Sequence, residues 1–411
     1  MLMPRHKTGA TGAQGHRRIA QRVGICAKTG LSGLFRADPR SSHAPGRAPG
    51  KPAVETGSGQ RGTVLKGERA TALLLLAFLL VVSGCGADNA IYPGQPGYLR
   101  LGIGDRFSWS RGGEEVSWYQ KALEDGFEIE LVEVWLEEGW DEGWLTQDDL
   151  NEALDRGVVP VIMHYYFAEN ISKEYVQGHL SEWYDDLERL ASVIDIDREV
   201  WVVLEPEFND EPSSGTPITE WEGWNDAVIG AVERIREIAP EAKISICAGD
   251  FSQQDLELCL SRAAQELDFL SFQEMRASTY WEPSSSGRLH VADSAMRFSR
   301  YLRTTFNKPI LFAYLAVSTY ADGDSLGWEN EQALVINQVF DRSDELLANG
   351  VFGLVYFEYY DDPLHSGFFG EAEKYFGLMT DTGQPKQGWH VFREKSREIS
   401  RVSRSTGERS P

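Results

Sequence analysis

Residues 199–209 read EVWVVLEPEFN, and this stretch decides the fold class. Val200, Trp201, Val202, Val203 and Leu204 form an unbroken run of β-branched, aromatic and aliphatic residues. The run is too short for an ordinary helix and apolar on both faces, as a strand covered on both sides must be. It stops at Glu205-Pro206-Glu207-Phe208-Asn209, so the strand delivers two carboxylates and an amide to one end of a sheet. If extended geometry persists through Pro206, Glu205 and Glu207 point the same way, because side chains two apart share a face.

Working outward, the same kind of run recurs at 98–104, 128–135, 158–164, 243–248, 268–273, 309–315 and 351–358, with 199–205 fourth in order. Between them lie stretches with apolar residues at three- and four-residue steps: 115–124, 147–155, 173–194, 219–239, 254–266, 292–306 and 329–348, then 389–400 after the last strand. Pro240 should stop the fourth helix, having no N–H to donate. Gly126, Gly157 and Gly350 follow helices, where a left-handed residue ends the element. Eight strand–helix units over residues 98–400 predict a single (β/α)₈ TIM barrel, whose usual size is about 250 residues. A doubly wound open sheet that bound a dinucleotide would be expected to carry a glycine-rich turn after its first strand. Gly102-Ile103-Gly104 is followed instead by Asp105-Arg106-Phe107, an incomplete fingerprint.

The charge is uneven. Residues 1–69 hold 13 Lys and Arg against 3 Asp and Glu, in a chain of 411 residues that carries 40 against 63 overall, net −23. The remainder is therefore strongly acidic, and a pI of about 4.8 argues against a nucleic-acid partner, whose phosphates would be repelled. Lys66 and Arg69 precede an apolar run from Ala70 to Val82, closed by Val82-Ser83-Gly84-Cys85. A basic start, a short apolar centre and small residues before a cut describe a secretory signal. The run falls short of the roughly 20 residues that span a bilayer, and its bland alternative is a buried core helix. The stretch ending in Cys resembles the lipobox of bacterial lipoproteins. That resemblance implies that Cys85 is acylated and becomes the mature N-terminus. Gly86, where an Asp would imply inner-membrane retention, implies the outer membrane. The expected organisation is thus an extension over 1–63 from a start codon placed too far upstream, a signal over 64–85, a linker over 86–97, the barrel over 98–400 and a polar tail over 401–411.

In a barrel of this kind the active site lies at the C-terminal ends of the strands. Those positions hold Asp105, Glu133, Glu137, His164, Glu205, Glu207, Asp250, Glu274, Tyr314, Glu358, Asp361 and Asp362. Arg106 and Arg276 are the exceptions to an acidic ring, which suits neutral sugars or a divalent metal better than phosphorylated substrates. Trp109, Trp135, Trp140, Trp144, Trp221, Trp224, Trp281 and Trp328 fall in or near the strand–helix loops. Exposed indoles are stacking platforms for pyranose rings; packing of the barrel top is the alternative for any one of them. Two close carboxylates cannot easily both ionise, so one of Glu205 and Glu207 should be held protonated, the state that glycoside cleavage needs in its acid. The alternative use of the pair is a salt bridge to a neighbouring strand.

Glu207-Phe208-Asn209 at the end of strand four resembles the acid/base motif of the large clan of retaining (β/α)₈ glycoside hydrolases, most closely its mannanase-like branch. The Trp-rich loop that follows, the helix end Ile238-Ala239-Pro240, and the closing segment Phe376-Gly377-Leu378 with Asp381-Thr382-Gly383-Gln384-Pro385-Lys386 are also similar to such enzymes. The resemblance implies that Glu207 is the general acid/base and that Asn209 bonds a sugar hydroxyl or steadies the glutamate. It also implies a nucleophilic Glu on strand seven, shortly after Lys308-Pro309, where this chain has Tyr314.

Three arrangements accommodate that departure. Glu274 or Glu358 could be the second carboxylate, at about 5–5.5 Å for retaining or 6.5–9.5 Å for inverting chemistry. Glu205 and Glu207 could act together on a substrate whose own N-acetyl group is the nucleophile. Or the barrel could bind glycan without cutting it. His164, Trp109, Trp135, Trp281, Tyr314, Asp250 and Asn209 are expected to contact sugar, with Glu205 tuning Glu207. The expected partners are a carbohydrate and, through Cys85, a membrane; a monomer without cofactor or resident metal is expected. The acidic stretch 359–373 could hold a divalent cation with oxygen ligands, although a solvated loop is the plainer reading. Cys247 and Cys259 could pair or remain buried thiols.

Overall fold

The computed structural model describes residues 97–105, 110–111, 114–115, 117–249, 256–277, 290–321, 323–365 and 367–406. The chain divides into Met1–Ser83 and Gly84–Pro411, and every described residue belongs to the second unit. Trp109, Asp250, Trp281 and Cys85 lie outside the described residues.

Eight parallel strands close into a barrel in chain order. They are β1 (Arg100–Asp105), β2 (Leu131–Glu137), β3 (Val159–Tyr165), β4 (Trp201–Leu204), β5 (Lys243–Ala248), β6 (Leu270–Arg276), β7 (Ile310–Val317) and β8 (Val351–Tyr356). β1 pairs with β2 on one side and β8 on the other, which closes the ring. The fold is the single (β/α)₈ barrel that the alternation predicts. The helices are α1 (Trp118–Glu124), α2 (Gln147–Asp155), α3 (Lys173–Ile194), α4 (Trp224–Ile238), α5 (Glu257–Leu260), α6 (Ala263–Glu266), α7 (Val291–Phe306), α8 (Glu329–Phe340), α9 (Ser343–Ala348) and α10 (Gln387–Thr406). No helix among the described residues is long and apolar enough to cross a membrane.

Two cores follow from the period of two along each strand. Leu131, Val161, Met163, Trp201, Val203, Cys247, Leu311, Tyr314 and Val355 fill the barrel interior. Their alternates, among them Val132, Ile162, Val202, Ile246, Phe272 and Phe312, pack under the helices. Gly126 and Gly350 adopt φ of +83° and +86°, the left-handed ends expected of them. α4 ends at Ile238, two residues before Pro240.

The helix expected over 254–266 is two single turns among the described residues, and Asn225 on α4 explains the break. Its Oδ1 accepts from the N–H groups of Arg262 and Ala263 at 2.8 and 3.0 Å, and its Nδ2 donates to the Leu258 carbonyl at 2.9 Å. These backbone groups are thereby drawn to a neighbouring helix rather than into one continuous ladder. The segment expected as a polar tail from 401 is helical as far as Thr406.

Candidate active site

The site is built on the turn that follows β4. Extended geometry does not persist through Pro206: Glu205 and Glu207 adopt φ of +38° and +64°. Each left-handed non-glycine residue costs about 1–2 kcal/mol, and local bonds offset it. Glu205 N–H donates to the His164 carbonyl at 2.9 Å, Glu207 N–H to the Cys247 carbonyl at 3.0 Å, and Asp210 N–H to the Glu207 carbonyl at 2.9 Å. Asn209, buried, accepts from Gly249 N–H at 2.6 Å through Oδ1, so its carbonyl steadies this turn against the end of β5.

The two glutamates consequently part company. Glu207, partly exposed, turns to the barrel mouth. Its Oε1 accepts from Gln273 Nε2 on β6 at 3.0 Å and from the Tyr314 hydroxyl on β7 at 2.8 Å. Tyr314 is fully buried, and burial together with Glu207 pushes its phenol well above the usual range. Its ring meets that of Trp135 on β2, centroids 5.1 Å apart. Trp135 in turn donates from Nε1 to Oε1 of Glu133 at 2.6 Å. Glu133 is fully buried, burial drives its carboxyl well above the usual range against that one hydrogen bond, and its Oε2 has no partner. Asp210 completes the group. Burial, then Glu207 and Glu211, push it up to about 7. The same charges reach the Cys247 thiol from above: burial first, then Glu207 and Glu133, raise it. Glu133, Glu207, Asp210 and Tyr314 thus share one electrostatic neighbourhood at the C-terminal end of the barrel.

Glu205 does not face Glu207. It enters the wall between β3 and β4, where Oε2 accepts from Phe167 N–H at 3.1 Å. Burial pushes its carboxyl up to about 8. Its Oε1 stands 3.8 Å from Nδ1 of His164. His164 also departs from the expectation of a sugar contact: Met163 fills the interior, so its neighbour points outward, where Nε2 meets Oδ2 of Asp186 on α3 at 2.8 Å. Asp186 is held in turn by Arg189 and by Trp140 Nε1.

Alternation also removes Glu274 from the mouth. Gln273 reaches inward to Glu207, so Glu274 faces the helical layer, with Arg276 Nη2 at 2.9 Å and Arg297 of α7 pulling against the rise that burial imposes. Glu358, past the end of β8, is buried near Lys386. The acidic stretch 359–373 is solvated only in part: Leu364 and Phe368 are 84% and 72% exposed. Asp361, Asp362 and Glu373 are buried, and Asp361 forms an ion pair of 2.6 Å with Lys386. No group of acids, His and Cys among the described residues is arranged to hold a metal ion. Cys247 lines the interior and Cys259 packs under the helices, and no disulfide joins them. Trp140 and Trp224 are buried packing residues, whereas Trp135 borders the mouth and Trp144 is 53% exposed. A groove of about 470 Å³ lined by Tyr184 and Trp221 lies between α3 and α4, away from these acids.

Sequence reading placed Glu133 among the strand-end acids but did not join it to Glu207, and it passed over Asp210 and Gln273. The signal for Glu133 and Gln273 was available in the alternation, since each shares a face with an interior apolar residue. Asp210 had none, because its position depends on the left-handed turn.

Comparison of the sequence with protein-family models and with curated proteins finds no match. Solved structures share the fold. An uncultured Clostridium sp. β-glucuronidase is 16% identical over 73% of this chain and 50% of its own, with a TM-score of 0.53. The exo-β-1,4-mannosidase of Opitutaceae bacterium strain TAV5 is 14% identical over 74% and 60%, with a TM-score of 0.54. The GH5_18 protein of Streptomyces cattleya in complex with GlcNAc is 13% identical over 74% and 81%, with a TM-score of 0.52. This chain spans half to three-fifths of the length of the first two, and at these identities the likeness is one of fold.

Proposed function

We propose that this protein is a cell-envelope lipoprotein, anchored through Cys85, whose barrel cleaves the glycosidic bonds of an oligo- or polysaccharide with Glu207 as the proton-transferring group. The observation that carries this reading is the position of Glu207: partly exposed at the mouth, with Oε1 committed to two donors. Its carboxyl is thereby held in a fixed orientation at the open end of the barrel. Glu133 and Asp210 act with Glu207 on the same Cys247 thiol at the end of β5, and Trp135 offers an indole bonded to Glu133. Acid–base transfer by a positioned carboxyl contributes about 10²–10⁴-fold. The acidic composition and the glycosidase names of the fold neighbours support a carbohydrate as the ligand. A screen of soluble and insoluble polysaccharides with the full chain tests it: hydrolysis by the parent, lost in Glu207→Gln with binding retained, is the expected result. Cys85→Ser should abolish acylation and release the protein from membranes.

A second reading has its own observation. Tyr314 stands at the strand-seven position of the resembled nucleophile and is fully buried. A barrel that binds glycan without cleaving it follows if parent and Glu207→Gln bind equally and neither cleaves.

A further inference from the structure

We propose that the groove between α3 and α4 is a second saccharide-binding site, with Trp221 as its platform, which holds a further stretch of the glycan that the mouth receives. The proposal rests on the glycan reading above and adds a site to it.

The groove, about 470 Å³ in volume, falls within the size range of small-ligand sites. Its walls are the early turns of α3 and the loop and first turn that open α4. In a (β/α)₈ barrel each helix starts from the C-terminal end of the strand before it, so the groove lies on the flank at the same end as the mouth. Two ring contacts tie it to the turn that carries Glu207: Trp221 meets Trp224 with centroids 6.4 Å apart, and Trp224 meets Phe208 at 6.1 Å.

Its aromatic walls are seated by glycines. A Cβ on Gly223 would lie 2.4 Å from Nε1 and 2.7 Å from Cε2 of Trp221, part of a rigid ring that cannot bend away. A Cβ on Gly230 would lie 2.5 Å from the Tyr184 hydroxyl oxygen. Glycine inside a helix is unfavourable, and at Gly230 the space it leaves is the space the phenol takes. Tyr184 is a fixed wall rather than a platform: Arg234 lies over its ring at 3.8 Å, and its hydroxyl donates to the Ala227 carbonyl at 3.0 Å. α3 departs from helical geometry at His179, between the lining residues Gln177 and Leu180.

The lining selects the ligand. Trp221 is partly exposed, and its ring is tilted by 44° to that of Trp224 rather than stacked on it. Beside it stand Gln177 and Asp226, both exposed. The amide donates and accepts, and the carboxylate accepts. Among the described residues lining the groove none is cationic; Arg234 is engaged by Tyr184, and Arg262 pairs with Asp226. A phosphorylated or carboxylated ligand therefore meets no counter-charge. An amphipathic helix meets no apolar stripe, because the aliphatic lining residues are Leu180 and the buried Ala227. A neutral pyranose matches both characters, with an apolar face for the indole and hydroxyls for the amide and carboxylate.

The test uses the full chain with two- and six-unit oligosaccharides of mannose, glucose and N-acetylglucosamine and with their insoluble polymers. Calorimetry should give two six-unit ligands per parent chain and one per Trp221→Ala chain. Retention on the insoluble polymer should fall at least fivefold in Trp221→Ala and at least threefold in Gln177→Ala. Binding or cleavage at the mouth, read with the two-unit ligand, should stay within twofold. Thermal midpoints near the parent's show the variants folded, and Gln177, exposed on α3, carries the test alone if Trp221→Ala does not fold. One ligand per parent chain, or retention unchanged in the folded variants, overturns the second site and leaves the glycan reading intact. Loss of the two-unit ligand together with retention also overturns it, since groove and mouth would then not be separate sites. Binding of no saccharide by the parent overturns both readings.

Discussion

Tyr314 on β7 donates a hydrogen bond of 2.8 Å to Oε1 of Glu207, 107 residues away on the turn after β4. The contact ties opposite parts of the barrel together at its mouth and gives a phenol the place that the clan resemblance assigns to a carboxylate. With Gln273 as the second donor, the phenol fixes which oxygen of Glu207 faces the barrel wall.

Tyr314→Phe should keep the ring packed against Trp135 and remove that donor. An intramolecular hydrogen bond contributes about 0.5–1.5 kcal/mol net, and a loss of stability in that range is expected by denaturant titration. Glycan cleavage or binding should fall with it, because Oε1 of Glu207 then loses the Tyr314 donor and keeps that of Gln273. A variant indistinguishable from the parent on both measurements would mean that Glu207 is oriented without Tyr314.

Glu205 sets a pH dependence on the fold. Burial raises its folded-state pKa from 4.5 to about 8, so between these values the folded chain keeps a proton that the unfolded chain has released. Its contribution is complete below pH about 4.5 and is lost as pH rises through about 8. Glu205→Gln preserves the acceptor for Phe167 N–H and abolishes the titration. The fall in melting temperature between pH 5 and pH 8 should therefore be shallower in the variant. An identical slope in the two proteins would exclude Glu205 as its source.

The barrel was legible because its signal is repeated burial: eight apolar runs separated by helical periods admit few other closures. The strand-four glutamates show where legibility stops. Extended geometry made Glu205 and Glu207 neighbours on one face, but two left-handed residues sent them to opposite sides of the wall. Nothing in the residue types marks that turn, since neither glutamate prefers positive φ. His164 and Glu274 stand away from Glu207 for a simpler reason. Position at a strand end does not say which alternate faces inward; Met163 and Gln273 beside them carry that answer. The break near Asn225 lies beyond local sequence because its cause is a contact from another helix.

The closing segment Phe376-Gly377-Leu378 contains a glycine with a steric reason. A Cβ on Gly377 would lie 2.2 Å from the Asp361 backbone nitrogen and 2.3 Å from the Tyr360 carbonyl carbon. Backbone atoms cannot swing aside, so Gly377→Ala should cost at least the upper end of the roughly 1–3 kcal/mol typical of overpacking. Gly178, inside α3 with nothing within 4 Å of its would-be Cβ, is the control. Alanine there should stabilise by about 0.8–1 kcal/mol from helix propensity. Chemical denaturation of the two variants distinguishes them by sign, and a neutral Gly377→Ala would refute the close approach.

Beside that glycine, Lys386 and Asp361 form an ion pair of 2.6 Å with 1% and 6% of their side chains exposed. Lys386 also donates to Thr319 Oγ1 at 3.0 Å and to the Tyr375 carbonyl at 3.2 Å, and Asp361 Oδ1 accepts from Gly377 N–H at 3.0 Å. Burial works against charge on both partners, pushing Asp361 up to about 6 and Lys386 down, while each draws the other back. Removing one partner strands the other, so Lys386→Met should destabilise the barrel by about 3–5 kcal/mol at pH 7. Adding Asp361→Asn to it removes the stranded charge and should recover a large part of that loss, since a buried pair often contributes little net stability against neutral replacements. A double-mutant cycle by urea unfolding measures the coupling. Strictly additive single effects would show that the two groups ionise independently, contrary to the geometry.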